Sequence, residues 1–423
     1  MKFNNYNFIN LFCTITLIFM LSGTASSAHY TNTNDRKDFT MKTITVDKSG
    51  KGNFTTVQQA IDSVPDENMS WVRIHIKAAT YTEKVSIKRE KQFIFLEGES
   101  SRNTIIAWGD AGDVVKSPTF SSHADNIAAS KITFKNFYNH DVKSPDDNDD
   151  DGTKEAIIWA PAALVEGDKV SFYACSFISV QDTLFDALGR HYFENCYIEG
   201  AIDFIFGNAQ SYYERCNLYV DTSLLGPGHS NGYITAQGRE TSKETTGYVF
   251  RANTIKGSGP TLLGRAYRSH SRVLFYRTYM SDIVLPQGWD AWNYTGHEKT
   301  ITFAEDLCFG PGANKSQRVH WEKKLSRAER KCKKGSKNNP FIMAAQAKQV
   351  LYILDLVNDN WSIVLSFPKW KFSKKEDYDE NYDLYHDCFI VGQSIHEQVE
   401  NIQDNDNDSD TNDRDYLRNN IKE

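Results

Sequence analysis

Two acidic residues, Asp182 in SVQDTLFD and Asp203 in GAIDFIFGNA, stand 21 positions apart, and Cys175 and Cys196 repeat the same interval. Each Asp follows its own Cys by seven residues. If that interval is one turn of a repeating fold, the two carboxyl groups become neighbours. Neighbouring carboxyls do not both ionise readily near neutrality, because each negative charge raises the pKa of the other. One can then act as a proton donor while the other acts as base or nucleophile. The competing use of Asp among strands is as a turn residue that caps its own backbone. Thr183 and Leu184 after the first Asp, and Phe204, Ile205 and Phe206 after the second, are not what a solvated turn offers.

The elements that would position this pair are written in the same repeat. A third unit continues the register at Cys216: three residues before each Cys lie Phe172, Phe193 and Tyr213, and two after lie Phe177, Ile198 and Leu218. An internal period of roughly 20 residues, rich in Phe, Tyr, Val and Ile, reads as one coil of a parallel β-helix. Stacked strands sit about 4.8 Å apart, which is what would set the two carboxyls side by side. The three cysteines are expected to point inward as small apolar groups, leaving few disulfides or none in the solenoid. KTITVD at 42–47 reads as a first strand, and FTTVQQAIDSV at 54–64 as a short helix over the solenoid end, whose open strand edges need a cap. Strands then alternate with loops to about residue 321.

At these residues the chain resembles the plant pectin methylesterase family. The resemblance rests on QDTLFDALGRHYFENCYIEGAIDFIFGNAQSYYE, ITAQGR at 234–239, LLGRAY at 262–267, SRVLFYRTYM at 271–280, LPQGWDAW at 285–292 and FGPGA at 309–313, with AATYTEKVSI at 78–87 matching an amino-terminal signature. It covers roughly residues 42–326 and implies an all-β fold, a right-handed parallel β-helix with short capping helices; beyond it the chain departs from the family in a divergent C-terminal extension. It also implies a hydrolase, an aspartyl esterase that removes methyl esters from homogalacturonan in pectin degradation. Within that resemblance Asp203 is the nucleophile, Asp182 the proton donor, Gln181 an oxyanion donor and Arg265 the guanidinium that positions Asp203. Tyr267, Trp289 and Trp292 are the candidate aromatic faces for sugar rings. No metal and no cofactor are expected.

The sequence also departs from the family. Where a second Gln is common in a QAVAL motif, this chain reads WAPAALVEGDKV; Trp159, Ala160 or Pro161 takes the slot, and no Gln lies between Lys154 and Val180. Ala266 and Tyr267 replace the usual Pro and Trp after the arginine. A lost oxyanion donor typically costs about 100- to 1,000-fold in rate, so reduced or altered activity is expected.

Length and composition frame these readings. The 423 residues could hold one large β domain or two ordinary ones, and because β solenoids often exceed the usual domain length, length alone does not argue for two. Residues 1–28 read as a signal peptide, with Lys2 ahead of the apolar run LFCTITLIFML and the small residues TASSA. The expected destination is therefore outside the cell, in the wall, and sequons at Asn53, Asn68, Asn293, Asn314, Asn360 and Asn407 are compatible with a glycoprotein. No later stretch is apolar enough for a membrane span. Residues 29–41 read as a disordered lead-in, 327–400 as the divergent extension and 401–423 as an acidic disordered tail. No long helical pro-region of the inhibitor-like kind precedes the solenoid. Cys308, Cys332 and Cys388 are free to pair, though no spacing demands it.

A net charge of −7 weighs against nucleic acid, which needs a basic face. It is no obstacle to a methyl-esterified, largely neutral pectin. The acidic insert at 144–155 mimics the start of a calcium loop, but Ile158 holds the position where the bidentate Glu is required, so a solvated loop is expected. A monomer is expected, with pectin as partner and a proteinaceous pectinesterase inhibitor as a candidate second one. Two other functions compete: a pectate lyase on the same architecture, and a catalytically weak pectin-binding wall protein.

Overall fold

A computed structural model of the chain describes residues 41–140, 157–223, 225 and 231–325. The signal segment, the acidic insert, the C-terminal extension and tail, and with them Cys332, Cys388, Asn360 and Asn407, lie outside the described residues. Among the described residues, twenty-six strands form three parallel sheets of ten, eight and eight strands, wound as a right-handed parallel β-helix. No helix among them is long and apolar enough to cross a membrane.

One coil shows how the sequence makes each turn. Val170–Tyr173 belongs to the first sheet, Ser176–Ile178 to the second and Leu184–Asp186 to the third. The next coil repeats this as Arg190–Glu194, Tyr197–Gly200 and Ile205–Gly207. The corner between the first and second sheets carries a left-handed residue in successive coils: Ala174, Asn195, Arg215, Ala252, Arg277 and Leu307 all have φ between 49° and 55°. That conformation bends the chain sharply enough to start a new sheet direction, at a steric cost that non-glycine residues tolerate singly.

The cysteine-anchored register holds. Phe172 pairs with Phe193 and Phe193 with Tyr213, while Phe177 pairs with Ile198 and Ile198 with Leu218. Parallel stacking puts like on like. The Phe193 ring lies 5.1 Å from Phe172 and 4.5 Å from Tyr213, and the stack runs on through Phe250 to Phe275 at 4.5 Å per step. Each such buried ring contributes about 1.5–3 kcal/mol through removal of apolar surface from water. Cys175, Cys196 and Cys216 are buried and unpaired, and burial pushes the Cys175 thiol up to about 12, which leaves it an inert core group.

Interior polar groups tie the site-bearing coils together. Asp186 ends the strand that follows Asp182; its carboxylate bonds His191 Nδ1 and accepts from the Tyr213 hydroxyl at 2.6 Å, while its carbonyl accepts from the Tyr248 hydroxyl at 3.0 Å. His191 Nε2 lies 2.7 Å from the Gly167 carbonyl. Four successive coils are thereby pinned behind the acidic pair.

Both ends are closed as solenoid edges require. The helix Val57–Asp62 starts at Thr56, whose hydroxyl accepts from Gln59 N–H, and the Glu83 carboxylate accepts the N–H groups of Val57 and Gln58. Its buried face of Val57, Ala60 and Ile61 covers the first coil. At the other end, Lys323 N–H donates to the Phe303 carbonyl and the Trp321 ring packs 6.0 Å from Phe303.

Candidate active site

Asp182 and Asp203 occupy the corner between the second and third sheets in successive coils, and both are left-handed, with φ of 61° and 47°. Gln181 pairs in parallel with Ile202, and Asp182 N–H donates to the Ile202 carbonyl at 3.0 Å. The two aspartates are therefore equivalent positions of adjacent coils. Asp is among the few residues that adopt this conformation at small cost, and in it the side chains leave the solenoid wall at a corner rather than joining its interior. Both are 7% exposed, so each is nearly buried yet keeps some contact with solvent.

The arginine reaches the pair from two coils further on. Arg265 Nε donates to Asp203 Oδ1 at 2.8 Å and Nη2 donates to Oδ2 at 2.5 Å, a two-pronged grip that holds the carboxylate plane. Strand alternation explains why this arginine faces outward. Gly264 and Trp289 pair on the interior face of the third sheet, whereas Arg265 and Asp290, next to them, pair on the exterior.

The electrostatics separate the two carboxyls. Burial raises the Asp182 pKa well above its ordinary value, the negative Asp203 raises it further, and Arg265 only partly opposes them. Burial also raises Asp203, but there the Arg265 hydrogen bonds and charge pull down, with Asp290 adding a smaller upward push. Both carboxyls end above their ordinary pKa, Asp182 by more, so the pair favours the proton on Asp182.

Gln181 precedes Asp182 on the same corner and is partly exposed. On the preceding coil, Ala160 N–H donates to the Gln181 carbonyl, so a residue without an amide side chain stands beside it. Trp159, one residue earlier, is 51% exposed.

Of the three candidate sugar-binding aromatics, the structure brings two together. Tyr267 and Trp292 have ring centroids 6.2 Å apart, and the Trp292 ring lies 3.7 Å from the Arg265 guanidinium carbon. Trp289 is elsewhere, and its assignment as a substrate-binding residue is corrected. It is 1% exposed, packs 4.6 Å from Phe303 inside the solenoid, and donates its indole N–H to Glu305. The strand alternation that sends Arg265 and Asp290 outward sends Trp289 inward.

Two residues at the site escaped the sequence reading. Tyr233 places its ring 4.3 Å from the Arg265 guanidinium carbon, and Asp290 adds a third carboxylate near Asp203. Tyr233 immediately precedes the recognisable stretch ITAQGR, but the segment before it lengthens the coil, so no 21-residue count leads to it.

A parallel β-helix that brings two aspartates to one corner, one of them gripped by an arginine, defines the class: a solenoid protein with a buried carboxyl pair on its wall. A family model described as Pectinesterase matches residues 43–344, and the chain belongs to that family, hydrolases of pectin methyl esters. Probable pectinesterase 29 of Arabidopsis thaliana is 49% identical over 281 residues, 66% of this chain and 82% of that protein. Pectin methylesterase from carrot superposes with a TM-score of 0.61 at 28% identity, over 68% of this chain and 90% of that one. A pectin methylesterase solved in complex with a hexasaccharide gives 0.56 at 25% identity, over 67% and 93%. The family match extends to 344, past the boundary at 326 drawn from the motifs.

Proposed function

We propose that this chain is a secreted cell-wall enzyme that demethylates homogalacturonan through Asp203 as nucleophile and Asp182 as acid and then base. The observation that carries this reading is the grip of Arg265 on Asp203 while Asp182 stands one coil away with its pKa raised by burial and by the Asp203 charge.

In the first step an Asp203 carboxylate oxygen forms a bond to the ester carbonyl carbon of a methylated galacturonate unit. The carbon–methoxyl bond then breaks, and the Asp182 proton goes to the departing oxygen to give methanol. Gln181 supplies a side-chain N–H to the oxyanion of the tetrahedral intermediate. In the second step water attacks the carbonyl of the acyl-Asp203 anhydride and gives its proton to Asp182. The bond to Asp203 breaks, leaving a carboxylate on Asp203, a proton on Asp182 and a galacturonic acid unit that loses its proton to solvent to give pectate. Tyr267 and Trp292 offer ring faces to the sugars flanking the reacting unit.

The test is methanol release from highly methylated pectin by the purified mature protein, followed together with absorbance of unsaturated uronide. Wild type should release methanol without unsaturated product, and Asp203→Ala should lose release while still binding pectin. Unsaturated product would point to a lyase. Absence of methanol from well-folded protein would favour a weak pectin-binding role, which the alanine beside Gln181 supports.

A further inference from the structure

Arg265 grips Asp203, and its own position has to be fixed as well. A guanidinium on a three-carbon stem has several rotamers, and the one it adopts here delivers two parallel bonds to Asp203. Two rings pack on it in this chain. Trp292 follows the strand Trp289–Asp290, which pairs with Thr261–Ala266 from the coil after, and its ring is 3.7 Å from the guanidinium carbon. Tyr233 lies on the strand Gly232–Gln237, which pairs with Thr261–Ala266 from the coil before, and its ring is 4.3 Å away. The cation is approached from both neighbouring coils.

Tyr233 also stands next to the aspartates. Phe204 N–H donates to the Tyr233 carbonyl, as Asp182 N–H donates to the Ile202 carbonyl one coil earlier, and Ile205 pairs with Thr235. Counting back in that register sets Tyr233 beside Asp203. It packs against the apolar cluster of Val180, Ala201 and Ile202, the residues that precede the acidic corner in its two coils.

We propose that Tyr233 is a positioning residue for the esterase reaction: its ring, with Trp292, clamps the Arg265 guanidinium in the rotamer that holds Asp203 ionised and in line for attack. The role belongs to the π-face, since a ring quadrupole attracts a cation most strongly where water is excluded. The hydroxyl is not needed. Loss of the face frees Arg265 to leave Asp203, whose burial then acts with less opposition.

The inference rests on the esterase reading, and its test keeps the two apart. Tyr233→Leu retains apolar volume against Val180 and Ile202 but removes the π-face; Tyr233→Phe retains the face and removes only the hydroxyl. Folding is checked by circular dichroism and thermal melting, and methanol release is followed as kcat/KM against pH. Asp203 must be ionised to attack, so a raised Asp203 pKa moves the acidic limb to higher pH. Tyr233→Leu should lower kcat by about 3- to 30-fold and move that limb upward, whereas Tyr233→Phe should stay close to wild type in both. An unmoved acidic limb in folded Tyr233→Leu, or equal losses in the Leu and Phe variants, would overturn the clamp while wild-type methanol release left the esterase reading intact. Titration of the carboxyl carbons by NMR in wild type and Tyr233→Leu gives the same comparison without turnover: an Asp203 signal titrating at the same pH in both would also overturn it.

Discussion

Asp203 and Arg265 are 62 residues apart in the chain and share a two-pronged hydrogen bond. Two whole coils separate them, so neither residue is local to the other in sequence. The arginine makes the two equivalent aspartates unequal, because it bonds one and only acts at a distance on the other.

Replacing Arg265 by Lys keeps the charge and removes the fork. A lysine is a point charge that cannot match both carboxylate oxygens in one plane. Hydrogen bonds to charged groups contribute about 1.5–3 kcal/mol, so Arg265→Lys should lower kcat by roughly 10- to 100-fold. Initial rates of methanol release across pH check it, with the acidic limb moving upward as Asp203 becomes harder to ionise.

Asp182 has its folded-state pKa raised above the unfolded value, so its contribution to stability is fully present below the unfolded pKa and is lost as pH rises through the folded one. Ionisation at high pH both destabilises the fold and removes the proton that methanol needs. Asp182→Asn keeps the left-handed corner, which Asn also tolerates, and cannot ionise. It should melt at a higher temperature than wild type on the alkaline side and lose about 100- to 10,000-fold in methanol release. Calorimetry at several pH values and the standard rate assay read the two effects.

Gln181→Ala should cost about 100- to 1,000-fold in kcat with little change in pectin binding, since an oxyanion donor acts mainly in the transition state. The small side chain of Ala160 beside it supplies no second amide to share that role. A separation of kcat from KM, measured on methylated pectin, checks this; a rise in KM alone would move Gln181 to substrate binding.

Gly200 sits beneath the corners that carry Asp182 and Asp203. A Cβ there would lie 2.3 Å from Phe204 Cβ and 2.6 Å from Thr183 Oγ1, the residues that follow Asp203 and Asp182. Gly200→Ala should therefore cost about 1–3 kcal/mol of stability through overpacking and lower kcat by displacing the corners. Denaturant unfolding and methanol release, measured on the same preparation, test the pair of effects.

Much of this was legible because a solenoid converts chain distance into spatial distance at a fixed rate. A 21-residue step between Cys175 and Cys196 sufficed to place Phe172 on Phe193 and Asp182 beside Asp203, since adjacent coils must hydrogen-bond in register. The buried thiols followed from the same step. The helix at Val57–Asp62 followed from its apolar spacing. The count fails wherever a loop lengthens a coil, which is why Tyr233 was not placed.

The amino-acid sequence by itself determined the repeat, and the repeat determined the fold, the stacked core and the pairing of two carboxyls on one corner. Tertiary structure alone decided which side of the third sheet each later residue faces. That choice turned Arg265 outward onto Asp203, brought Tyr233 and Trp292 against its guanidinium, and buried Trp289 three residues from Trp292. The reason is that alternation along a strand has a period of two but no absolute phase: the phase is set by which side chains the neighbouring coils can bury.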